Sequence, residues 1–134
     1  MKQFFSRVMA FVLVAVIALS GLTACSPAGN LSGNYRDDAL TLVSSLREAI
    51  ELPENTPEKA AAQSTARENI NDFIARYRRD SSVSTLPSFT TMSTALNGLA
   101  SHYSSYGNRP LSPKLKERLN QEFNQVEMAL KRGA

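Results

Sequence analysis

Apolar side chains recur at steps of three and four in four separate stretches of this chain, with proline and glycine punctuating the stretches. Such spacing lines up one face of an α-helix, so the chain has four helical stripes to bury against one another. Asn34 opens the first stretch as a helix cap, with Asp37 three positions on at the positive end of the dipole. Ala39, Leu42, Val43, Leu46, Ala49 and Ile50 follow, and Pro53 stops the run. Thr56-Pro57-Glu58 starts the second: a capping hydroxyl, proline in the first turn, then an acid. Its stripe is Ala62, Ala66, Ile70, Phe73, Ile74 and Tyr77.

A serine-rich connector from Asp80 to Pro87 leads to the third stretch, Phe89, Met92, Leu96, Leu99, Tyr103 and Tyr106, ended by Gly107. Gly98 inside it costs about 1 kcal/mol relative to alanine, and a close approach of a neighbouring helix is the expected compensation. Ser112-Pro113 opens the fourth, whose stripe is Leu115, Leu119, Phe123, Val126 and Leu130. Glu127 and Lys131 are spaced as an i, i+4 ion pair on it. No stretch alternates with period two. The pattern predicts an all-α, up-down-up-down antiparallel four-helix bundle over residues 35–134.

The beginning of the chain has a different character. Lys2 and Arg7 precede an apolar run from Val8 to Leu19, the length of a signal peptide and short for a membrane span. The run closes on Leu22-Thr23-Ala24-Cys25, which resembles the bacterial lipobox, where the thiol takes a diacylglycerol before cleavage. The expected organisation is a cleaved lipoprotein signal peptide at 1–24, a lipidated flexible tether at 25–34 beginning with Cys25, and the bundle from 35. The whole chain has a formal charge of +3, but without residues 1–24 thirteen bases face twelve acids. Overall basicity therefore gives no support to nucleic-acid binding.

Chemistry is scarce. One cysteine, one histidine and no tryptophan exclude a disulfide framework, a zinc cluster or a Cys₄ iron–sulfur site within one chain. A di-iron bundle needs Glu-x-x-His pairs, whereas Leu99 stands three residues before His102. There is no Gly-rich phosphate loop, and the cysteine is assigned to lipid. The expectation is no catalytic residue, no metal and no cofactor.

Two polar and aromatic clusters sit at helix ends. Ala75-Arg76-Tyr77-Arg78-Arg79-Asp80 either complements the dipole of the second helix or offers arginines to carboxylates of a partner. Ser101-His102-Tyr103-Ser104-Ser105-Tyr106-Gly107-Asn108-Arg109-Pro110 is either a locally hydrogen-bonded corner or a docking edge. In an up-down bundle these ends lie at opposite poles, so only a partner running along the side meets both.

The chain resembles the small lumenal lipoprotein family of photosystem II assembly and repair in cyanobacteria, with relatives in chloroplasts. The resemblance rests on Tyr35-Arg36-Asp37-Asp38, Ser45-Leu46-Arg47-Glu48-Ala49-Ile50, the arginine cluster, Thr94-Ala95-Leu96-Asn97, His102-Tyr103-Ser104-Ser105-Tyr106 and Asn108-Arg109-Pro110-Leu111, behind the Cys25 lipobox. Ser101 departs from it, standing where relatives often have glycine.

The resemblance implies a four-helix bundle and a non-enzymatic monomer, anchored by lipid on Cys25 to the lumenal side of the thylakoid membrane. Its implied partner is immature photosystem II, chiefly the large lumenal loop of a chlorophyll-binding inner antenna subunit, before the manganese cluster and the extrinsic subunits are added. Arg78, Arg79, His102, Tyr103, Asn108 and Arg109 are the residues expected on the docking face. A generic exported, lipid-anchored adaptor of envelope assembly or transport shares the lipobox, the tether and the helices, but not those motifs.

Overall fold

The computed structural model describes residues 31–134; the expected signal peptide and the lipidation site Cys25 lie outside them. Five helices fill the described span: α1 Tyr35–Glu51, α2 Pro57–Tyr77, α3 Ser81–Ser84, α4 Pro87–Tyr106 and α5 Pro113–Lys131. No strand occurs among the described residues. The four long helices form the bundle, and the single turn of α3 interrupts the connector expected between the second and third.

The caps read from the sequence do set the starts. Asn34, Thr56 and Ser112 each accept the backbone N–H three residues on, from Asp37, Lys59 and Leu115. Leu52, before Pro53, takes the extended backbone that a following proline favours, and α1 ends there. The short α3 arises from Asp80, whose Oδ1 accepts from the Ser82 backbone N–H at 2.9 Å and its hydroxyl at 2.6 Å, while Val83 is buried beneath.

α1 packs on α2 and α4 on α5, and the ring closes through α1 with α5 and α2 with α4. Contacts between helix ends fix the antiparallel sense. Tyr35 at the start of α1 meets Phe73 and Tyr77 late in α2, and Phe89 at the start of α4. At the other end, Lys116 early in α5 pairs with Glu51 at the end of α1 at 3.2 Å. We call the first the entry pole and the second the loop pole. Phe73 and Phe123 are fully enclosed with Leu46, Met92, Leu96 and Leu99. Each such side chain contributes about 1.5–3 kcal/mol by leaving water.

Four expectations change. The buried face of α2 runs through Lys59, Gln63, Ala66, Ile70, Phe73 and Tyr77, whereas Ala62 and Ile74 are half-buried flanks. Lys59 enters because its ammonium donates to the Ile50 and Leu52 carbonyls, each at 3.2 Å, and pairs with Glu54 at 2.9 Å. It thereby satisfies carbonyls at the end of α1 that the helix cannot pair itself. Glu127 turns to Arg47 on α1 rather than to Lys131. The two guanidinium nitrogens meet its carboxylate at 2.6 and 3.3 Å, and one also reaches Asn124 at 2.5 Å. Tyr106, placed in the core stripe by its spacing, is 56% exposed.

Gly98 is the fourth, since a Cβ built there meets nothing within 4 Å and no helix approaches closely. Its helix-weakening effect is therefore uncompensated. Gly98→Ala should raise unfolding stability by about 0.5–1 kcal/mol, read as a higher denaturant midpoint at unchanged m. A lower midpoint would show that the position is crowded after all.

Candidate functional site

The entry pole is organised around one carboxylate. Asp38 is 4% exposed, and its oxygens accept from the Ser32 backbone N–H at 2.6 Å, the Ser32 hydroxyl at 2.7 Å and the Gly33 N–H at 3.1 Å. The Tyr77 hydroxyl, from the end of α2, donates to the same carboxylate. Burial alone would raise the Asp38 pKa, but the donors from Tyr77, Ser32 and Gly33 outweigh it and hold the carboxyl below its ordinary value. Burial, reinforced by Asp38 and opposed by Arg76, pushes Tyr77 up to about 12, so it stays a neutral donor.

This bonding draws residues 31–34, expected in the tether, into the folded unit, with Leu31 packed against the core. Gly33 has φ +93°, a backbone conformation that side-chain-bearing residues rarely adopt, which favours glycine there, and the Arg76 guanidinium passes close by.

The three arginines divide. Arg76 lies 5.8 Å from the Tyr77 ring centre and belongs to the closure of the pole. Arg78, in the cap position after α2, and Arg79 are exposed, and neither has an ion-pair or hydrogen-bond partner for its guanidinium among the described residues. Both line a groove of about 620 Å³ between α2 and α4, with Ile70, Ile74 and Ala75 on one wall and Asn97 and Ala100 on the other. A second hollow of about 260 Å³ shares Ile74, Arg78 and Asn97 and reaches Phe89 and Ser93. The groove exists because Ala75, Ser93 and Ala100 are too small to fill the seam. From Phe89 to Ala100 it follows about 16 Å of α4, at 1.5 Å per residue.

At the loop pole, His102 and Tyr103 are interior, only 8% and 2% exposed. His102 Nε2 donates to the Arg109 carbonyl at 2.9 Å, which fixes the turn after α4. The Tyr103 ring lies 5.4 Å beneath the Arg67 guanidinium, which also donates to the Tyr103 carbonyl at 3.1 Å. Burial, partly offset by Arg67, pushes the Tyr103 phenol up to about 12. His102 positions the loop, while Asn108 and Arg109 are exposed on it. The exposed Tyr106 ring stands 5.3 Å from His102 and is the surface aromatic that periodicity assigned to the core.

The six expected docking residues thus separate into Arg78 and Arg79 at one pole, Asn108 and Arg109 at the other, and His102 and Tyr103 inside. No group of three His, Cys, Asp or Glu side chains could hold a metal among the described residues. No described helix is long and apolar enough to cross a membrane.

The chain is by class an all-helical bundle with an arginine-rimmed groove along one seam. The chain belongs to the Photosystem II Pbs27 family, which it matches over residues 4–130. It is 59% identical to the photosystem II assembly factor lipoprotein Psb27 of Thermosynechococcus vestitus over 136 residues, covering 100% of this chain and 98% of that one. It is 51% identical to the photosystem II lipoprotein Psb27 of Synechocystis, covering 99% and 97%. The solution structure of Psb27 from cyanobacterial photosystem II superposes with a TM-score of 0.76 at 51% identity, over 83% of this chain and 96% of that one. The all-helical fold is the family's, and the chain is not an enzyme.

Because its folded pKa is lowered, Asp38 contributes its full stabilisation at neutral pH. That contribution fades below about pH 4, where the unfolded carboxyl protonates, and is gone once pH has fallen through the folded value. Asp38→Asn should cost about 2 kcal/mol at pH 7, and the gap to the parent protein should shrink as pH drops to 3. A gap constant from pH 7 to 3 in denaturant titrations would show that the charge contributes nothing.

Proposed function

We propose that this chain is a lipid-anchored assembly and repair factor that binds the lumenal face of immature photosystem II. Its contact is the lumenal loop of the inner antenna subunit, where it keeps later extrinsic subunits off until the manganese cluster is assembled. The observation that carries this is identity along the whole chain, N-terminal segment included, to one protein named as a photosystem II assembly factor lipoprotein and another named as a photosystem II lipoprotein.

Lipid on Cys25 would hold the bundle at the lumenal side of the thylakoid membrane. Five residues lie between Cys25 and Leu31, and the six steps span at most about 20 Å of extended chain. The Asp38 bonding removes further slack, because residues 32 and 33 are fixed to the bundle. The entry pole, with Arg78 and Arg79, is then the end held close to the membrane. Confinement raises the effective concentration beside a membrane-embedded partner, so a weak interface suffices for a monomer that must later leave. Arg78 and Arg79 suit direct contact because they are exposed and unengaged. Asn108 and Arg109 extend the face at the loop pole, held there by His102 through the Arg109 carbonyl, with Tyr103 buried beside it.

Simultaneous Arg78→Glu and Arg79→Glu should reduce co-purification with immature photosystem II about tenfold or more. Both side chains are solvent-facing, so unfolding stability should stay within about 0.5 kcal/mol. Undiminished co-purification of the folded double variant would remove the arginine pair from the interface.

A further inference from the structure

We propose that the groove between α2 and α4 receives an acidic amphipathic segment of the partner protein; the inference deepens the docking function proposed above and rests on it. Two observations describe the occupant. The floor is apolar where Ile70, Ile74 and Phe89 meet it, so the segment brings apolar side chains. Arg78 and Arg79 rim the entry-pole end, no carboxylate lines the groove, and neither arginine has an acid partner among the described residues. A carboxylate supplied from outside meets two guanidinium groups already at the lip.

About 16 Å of groove accommodates roughly three turns of helix or five extended residues. A second copy of this chain is a poor occupant: pairing groove on groove adds two more arginines to the contact and no carboxylate from the lining.

The test places a diazirine amino acid at the exposed rim positions Asn71 or Asn97, with Ser44 on α1 as control, in the full-length chain in photosynthetic membranes. Crosslinked peptides are sequenced by mass spectrometry. A parallel variant, Ala75→Trp, fills the groove from an exposed position, and its fold is checked by thermal melting. The expected result is crosslinking from 71 and 97, and not from 44, to a segment with apolar residues and at least one carboxylate. Ala75→Trp should lower retention of the partner about tenfold at unchanged melting.

Silence at 71 and 97, crosslinks to a second copy or to a segment without acids, or full retention by Ala75→Trp would each overturn the groove. An acidic segment captured from a protein outside photosystem II would support the groove and remove the proposed function instead.

Discussion

A buried carboxylate, Asp38, fixes one end of the molecule. A charge that is 4% exposed persists only if its lone pairs are filled, and the donors come from two separate parts of the chain, Ser32 with Gly33 and Tyr77. The bonding therefore does three things together. It closes α1 on the end of α2, it makes residues 31–34 part of the fold, and it sets where the chain before Leu31 departs. Arg78 and Arg79 follow Tyr77 directly, so their position at the entry pole depends on the same contact.

The rest of the bundle is sealed unevenly. Lys59 caps the α1 carbonyls and binds α1 to α2, while Arg47 spans α1 and α5 above Phe123. Across α2 and α4, Phe73 stacks on Phe89 at 6.3 Å near the entry pole and Arg67 holds Tyr103 farther along. Small residues between those closures leave the seam open. An exposed, open seam on an otherwise closed bundle offers a partner apolar area and charge without disturbing the core.

Much of this fold is legible in the sequence because local chemistry and global packing agree. Asn34, Thr56-Pro57 and Ser112-Pro113 mark starts that the structure keeps, and the stripes of α1 and α5 are the faces that are buried or partly buried. The misses arise where something other than a helix's own periodicity decides the outcome. Lys59 is buried because α1 ends opposite it, and Glu127 prefers an arginine eighty positions away. Tyr106 stays outside because the chain turns at Gly107, where φ is +59°, and its ring lies against His102. Of the candidate site, the arginine pair was readable as a motif. The groove beside it was not, since it depends on which small residues of two helices face each other.

Docking without chemistry, at a complex still under construction, is the central claim. The most direct measurement is the composition of the complex that accompanies the native, tagged chain out of gently solubilised membranes. Photosystem II with its inner antenna subunit and without the extrinsic subunits or a complete manganese cluster is the expected companion. Recovery of the chain with fully mature photosystem II, or with no chlorophyll protein at all, would contradict the claim.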